Sequence, residues 1–187
     1  MGSMRLFFSV PLPEAALESL RPVLEGARKA AGAGIGFTRL EQLHFTLAFL
    51  GGTERIDDAS AAAEGVRDLA QFDLAISGRG AFPGMSRPRV LWLGVTEGGA
   101  ALSAVAGKLC SGLRERGFAL EDRAFHPHLT LGRVKPHGAE EARRALEAVP
   151  KTELARFTAR EIVLVESVLG TGGSTHKPLR SFSLRAL

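Results

Sequence analysis

The sequence spells His-x-Thr-Leu twice, as HFTL at His44 to Leu47 and as HLTL at His128 to Leu131, 84 positions apart. The same offset lays Arg5-Leu6-Phe7-Phe8 over Arg89-Val90-Leu91-Trp92, and residues 72–76 over residues 156–160. A chain that repeats its pattern this way is constrained to build two similar units rather than one irregular whole.

The segments between these anchors agree. Residues 5–12 (RLFFSVPL), rich in aromatic and branched side chains and followed by Pro13, predict a buried strand. Leu17, Leu20, Leu24 and Ala27 fall at helical spacing and predict a helix over residues 13–30, kinked at Pro22. A His-x-Thr strand over residues 43–51, a helix over 57–70 and a strand over 72–78 complete the first unit. The second unit repeats the order with a strand over 89–95, a helix over 101–116, a strand over 128–134, a helix over 139–149 and a strand over 157–167; a last strand runs over 180–187. Both halves thus read β-α-β-α-β. The expectation is a bilobal α+β fold with two mainly antiparallel sheets facing across a central cleft and helices outside. It is one domain over residues 4–187, with lobes roughly over 4–80 and 88–187, terminal strands able to cross between them and a Gly/Pro-rich loop over 78–88 as the crossover. Residues 1–3, before Met4, read as a cloning remnant.

Composition narrows the function classes. A chain of 187 residues, 45% apolar, is long enough for a real core. No apolar run approaches the roughly 18 residues of a membrane helix, so a cytoplasmic protein is expected. Cys110 is the only cysteine, which excludes an internal disulfide and a cysteine zinc cluster. The net charge of +4, with 19 arginines among 24 basic residues, is compatible with a phosphate-rich partner.

The His-x-Thr pairs carry the chemistry. Residues i and i+2 of a strand share a face, so each strand offers one imidazole and one hydroxyl, His44 with Thr46 and His128 with Thr130, backed by apolar Phe45, Leu47, Leu129 and Leu131. Two such surfaces facing each other suit displacement at a phosphodiester. A base takes the proton of the attacking oxygen and an acid opposite serves the leaving oxygen, while hydroxyls hold the non-bridging oxygens. Histidine, with an ordinary pKa of about 6.5, fills both roles near neutrality. Arg133, five positions after His128, adds a fixed cation; strict alternation would turn it away, and Gly132 permits a bend or bulge that restores it. The position matching Arg133 in the first half is Phe49, so the symmetry is broken there.

These paired motifs, the second embedded in FHPHLTLGR (residues 125–133), together with MRLFFSVPLP at the start and RPRVLWLGV opening the second half, resemble the 2H phosphoesterase superfamily. Within it, the chain resembles the bacterial and archaeal RNA 2′,3′-cyclic phosphodiesterases, once named 2′-5′ RNA ligases. The resemblance implies catalytic His44 and His128, with Thr46, Thr130 and Arg133 on the phosphate. It also implies metal-independent opening of an RNA-terminal 2′,3′-cyclic phosphate to a 2′-phosphate, with His128 activating water and His44 protonating O3′. The expected partner is RNA bearing that end, tRNA fragments included, met by a monomer with no cofactor, no metal, no membrane and no obligate protein partner. Reversible 2′-5′ end joining and a non-catalytic module binding RNA ends or nucleotides are the alternatives.

Other features carry less. His126 and His128 have the spacing of a zinc pair without a third ligand, His176 being expected in a loop. The GTGGS run at residues 170–174 reads as a hairpin tip rather than a phosphate loop. Arg87 and Arg89 fit structural roles as well as contacts to RNA. Cys110 reads as core. With no tyrosine in the chain, base stacking falls to Phe, Trp or His, Phe7 and Phe8 each being core by default.

Overall fold

The computed structural model describes residues 3–171 and 173–186; Met1, Gly2, the Gly172 of the glycine run and the terminal Leu187 lie outside the described residues. In chain order the elements are β1 (Met4–Pro11), α1 (Glu14–Ala31), β2 (Ile35–Phe37), β3 (His44–Thr53), α2 (Ile56–Ala63), β4 (Phe72–Phe82), β5 (Val90–Glu97), α3 (Gly99–Glu115), β6 (Leu129–Val134), α4 (Ala139–Glu147), β7 (Ala155–Ala159), β8 (Glu161–Gly170) and β9 (Gly173–Ser183). The four helices and the antiparallel sheet give the α+β class read from the sequence.

In α1 the buried side chains Ala16, Leu20, Val23, Leu24, Ala27 and Ala31 recur every three or four positions, and this stripe faces the core. Gly32 ends the helix with φ +70° and returns its N–H to the Arg28 carbonyl, a turn that suits a residue without Cβ. The helix runs on through Pro22, which is exposed, so the carbonyl left without a donor meets water.

The two expected sheets are one. Among the described residues the strands form a single nine-stranded sheet in the order β7-β4-β5-β6-β3-β1-β8-β9, with β2 paired to β6. At its centre β3 and β6 meet through one ladder pair, Phe45 with Leu129. The order expected of both halves is interrupted in the first by β2, which has no counterpart between α3 and β6, and the third strands do not correspond in space. Residues 72–76, which the sequence offset lays over residues 156–160, are hydrogen-bonded to residues 155–159, with β4 beside β7. The strand beside β1 is instead β8. The single strand expected over 157–167 is therefore two, changing partners at Arg160, from β4 to β1 and β9. The helices cross over too, α1 packing on α4 and α2 on α3. One core cluster accordingly runs from Leu6 to Leu184 through both halves, while Phe7, Val163 and Val165 form a small cluster of their own. Cys110 is partly buried against the main core. Among the described residues no helix is long and apolar enough to cross a membrane.

Candidate active site

The ladder pair Phe45–Leu129 sets the geometry of the site. Both side chains are fully buried, so their neighbours His44, Thr46, His128 and Thr130 lie on the opposite face of the sheet. In an antiparallel pair, continuing this register by one residue each way sets His44 across from Thr130 and Thr46 across from His128. On that register the two motifs interleave across the Phe45–Leu129 pair.

Past this square both strands bulge at the same place. In β3 the partners of Phe8 and Ser9 are Ala48 and Thr46, leaving Leu47 unpaired; in β6 the partners of Leu91 and Trp92 are Gly132 and Thr130, leaving Leu131 unpaired. A bulge residue inverts the alternation beyond it. Leu47 and Ala48 are both buried, as are Leu131 and Gly132, and the residues that follow, Phe49 and Arg133, are exposed. Phe49 and Arg133 thereby join the cleft face, and the bulge that Gly132 was expected to permit is present, with a matching one in β3.

A cavity of about 700 Å³ opens on this face. His44, Thr46, Thr130 and Arg133 line it, with Arg5, Arg39 and Gln42 adding polar groups and Phe7, Phe49 and Leu169 adding apolar ones. His128 does not line this cavity. Its ring lies edge-on to Phe82 at 5.0 Å between centroids, with the His126 ring at 6.3 Å. Among the described residues no three His, Cys, Asp or Glu side chains gather as a metal site.

Both candidate imidazoles are held the same way. His44 Nδ1 lies 2.7 Å from the Gln42 carbonyl and His128 Nδ1 lies 2.6 Å from the His126 carbonyl. A carbonyl only accepts, so Nδ1–H is the donor in each ring and Nε2 is left for the cleft. His44 Nε2 lies 3.0 Å from Thr46 Oγ1, whose hydroxyl donates to it while the ring is neutral. Burial pushes the His44 pKa down to about 4, opposed by the Gln42 carbonyl and aided by His176 and His128. Burial also lowers His128, with His126 and Arg123 acting in the same direction.

Three residues that spacing did not single out surround His44. Phe7 stacks against its ring at 4.9 Å and 28°, taking the inward position beneath the cleft while Phe8 enters the main core. His176 stands edge-on to His44 at 5.3 Å, from β9 rather than from a loop. Gln42 supplies the anchoring carbonyl and sends its side-chain N–H to the Ser174 carbonyl, 2.7 Å away across the sheet. Of these only Phe7 had a signal in the sequence, as an alternative to Phe8. Of the GTGGS run, whose Gly172 lies outside the described residues, Gly170 pairs with Gly173 between β8 and β9, and Gly173 and Ser174 border the cavity.

A sequence model of the 2′-5′ RNA ligase superfamily matches residues 9–171. The chain is 33% identical to an RNA 2′,3′-cyclic phosphodiesterase of Archaeoglobus fulgidus over 96% of this chain and 99% of that one. The fold is similar to that of TT0787 of Thermus thermophilus, with a TM-score of 0.79, 29% identity and coverage of 98% and 99%. It is also similar to Escherichia coli LigT complexed with 3′-AMP, with a TM-score of 0.77, 26% identity and coverage of 97% and 98%.

Proposed function

The chain belongs to the 2′-5′ RNA ligase superfamily, and from that premise we propose that it is an RNA 2′,3′-cyclic phosphodiesterase, a hydrolase that opens the cyclic phosphate at an RNA end to leave a 2′-phosphate. The observation that carries the mechanism is the Phe45–Leu129 seam, which sets His44, Thr46, His128 and Thr130 on one face with each Nδ1 tied to a carbonyl.

The family resemblance assigns His128 as the base and His44 as the acid, and in both rings Nε2 is the nitrogen left over for the step. His128 Nε2, unprotonated because burial lowers its pKa, takes a proton from the attacking water. The water oxygen bonds to phosphorus, the P–O3′ bond breaks, and His44 Nε2–H delivers its proton to O3′. In the empty cleft His44 is neutral near pH 7, its pKa being about 4. The anionic cyclic phosphodiester favours the charged imidazole, so His44 takes up a proton as substrate enters. That proton turns Nε2 into a donor. The Thr46 hydroxyl, which donates to Nε2 in the free protein, then accepts and points its own hydrogen at a non-bridging oxygen. Thr130 and Arg133 hold the remaining charge from the β6 side of the cavity.

The same acid and base catalyse end joining in reverse by microscopic reversibility, with no activating nucleotide site in the sequence to drive it. We place the enzyme in the cytoplasm as a monomer acting on RNA ends such as those of tRNA fragments.

The test is a short RNA ending in 2′,3′-cyclic phosphate, incubated with the protein in EDTA, with the product assigned as 2′- or 3′-phosphate. The 2′-phosphate is expected, lost on His44→Ala and on His128→Ala. RNA that stays bound and unopened would leave a binding module on this fold. A requirement for added metal would overturn the two-histidine mechanism.

A further inference from the structure

We infer that Arg5, Ser167 and His176 form a second phosphate subsite, which takes the phosphodiester on the 5′ side of the terminal nucleotide. The inference deepens the function proposed above and rests on it, with His44 as the acid for O3′.

The sheet sets the three side chains in a row. Phe7, Val163 and Val165 are buried together beneath the cleft, and Phe7 is the ladder partner of Val165. Arg5 precedes Phe7 by two positions and Ser167 follows Val165 by two, so both share that face. Continuing the Leu6–Glu166 register by one residue sets Arg5 beside Ser167. Ser167 in turn pairs with His176 in β9. All three line the cavity with His44. One end of the row reaches the catalytic acid, the His176 ring standing edge-on to His44 at 5.3 Å and to Phe7 at 5.1 Å.

The donors of this row are unspent. Among the described residues the Arg5 guanidinium, the Ser167 hydroxyl and the His176 ring nitrogens have no hydrogen-bond or ion-pair partner. Glu121, the one carboxylate among the described residues lining the cavity, is paired with Arg123. A fixed cation, a hydroxyl and an imidazole together make a donor set suited to a phosphate. Gln42 fixes the distance between this row and the acid. Its carbonyl accepts from His44 Nδ1–H, and its side-chain N–H reaches the Ser174 carbonyl, two residues before His176.

The connectivity of RNA says which phosphate belongs there. O3′ is carried by C3′, whose neighbour C4′ bears C5′ and the 5′ phosphodiester, whereas O2′ lies on the side of C1′ and the base. The acid that serves O3′ therefore stands on the side of the ribose from which the upstream chain leaves. In the strand order β6-β3-β1-β8-β9, the row on β1, β8 and β9 lies beyond His44, on the far side from the β6 strand and its Thr130 and Arg133. An RNA end fills both phosphate positions, and a nucleoside 2′,3′-cyclic phosphate fills one.

The experiment compares adenosine 2′,3′-cyclic phosphate with its 5′-phosphorylated counterpart on the wild type, Arg5→Gln, His176→Gln and Arg67→Gln at one ionic strength. The wild type is expected to show a kcat/KM about tenfold or more higher for the 5′-phosphorylated compound, mainly through KM. Arg5→Gln and His176→Gln each narrow that ratio by about threefold or more. Arg67→Gln, which removes a charge from the exposed pair with Glu64, keeps it. Equal kcat/KM for the two compounds in the wild type, an unchanged ratio in either cleft variant, or a ratio narrowed as much by Arg67→Gln overturns the inference. If the wild type opens neither compound, the hydrolase reading fails, and titration with adenosine 2′,5′-bisphosphate and adenosine 2′-phosphate decides the subsite. Tighter binding of the bisphosphate, lost in Arg5→Gln, sustains it; equal affinities overturn it.

Discussion

In both His-x-Thr strands Nδ1 is tied to the carbonyl two residues earlier, so the proton that matters moves on Nε2 alone. Burial lowers both pKa values, His44 to about 4, so on the proposed roles its protonated form is a strong acid for O3′ and His128 is available as the base. On the proposed roles the sign is fixed: a ring that must be charged for catalysis and titrates near 4 when free gives a kcat/KM that falls as pH rises above about 4. The anionic substrate raises both values, so the kcat profile is displaced toward alkaline pH. Steady-state rates from pH 4.5 to 8.5 check this, and coincident profiles for kcat and kcat/KM would count against it. The residue types and their shared face were legible because alternation is a property of the strand itself. Phe7 under His44 and His176 beside it were not, because each is a neighbour brought in from elsewhere in the chain.

Between the residue and the fold stand two bulges and a short strand. Gly132 follows the β6 bulge, where β2 closes against it, and a Cβ there would come within 2.9 Å of the Gly36 carbonyl oxygen and of Ile35 Cγ2. Gly132→Ala must push β2 off β6 and move Arg133, so it is expected to cost about 1–3 kcal/mol of stability and to raise KM. Urea unfolding and steady-state kinetics read the two effects; a stable variant with wild-type KM would show that β2 does not hold Arg133. Most helices and strands were legible from period, since a helix or strand face is local. The β2 strand, three residues long, has no period to read. The β7–β8 break at Arg160 was hidden because the backbone stays extended while its ladder partners change. The strand β4 likewise runs on to Phe82 through glycines read as a loop, its register slipping between Ile76 and Arg79 to absorb Gly78, whose φ is +77°.

Across the whole molecule, charge is sorted. Arginines at 21, 55, 67, 123, 143, 156 and 180 are spent in exposed ion pairs, while Arg5 and Arg133, both in the cavity, have no ion-pair or hydrogen-bond partner among the described residues. Exposed pairs add little to stability, about 0–1 kcal/mol, so their effect on the field is to cancel positive charge away from the cleft. The affinity for a short RNA should therefore fall with salt, and Arg5→Gln and Arg133→Gln should each lower the log–log slope by about 0.7, the value for one phosphate on a single strand. Titrations of catalytically silenced His128→Ala protein between low and physiological salt measure this, and equal slopes in all variants would show that neither arginine meets a phosphate. By itself the sequence determined the α+β class, most of its helices and strands and the face that each His-x-Thr pair shares, because these follow from periodicities of two and 3.6 residues within single elements. Only the tertiary structure decided that the halves share one sheet, that the motifs interleave across Phe45 and Leu129, and that Phe49 shares the cleft with Arg133. Strand partnership and the β3 bulge are settled by which backbone donors and acceptors meet in space, and nothing local in the chain records that choice.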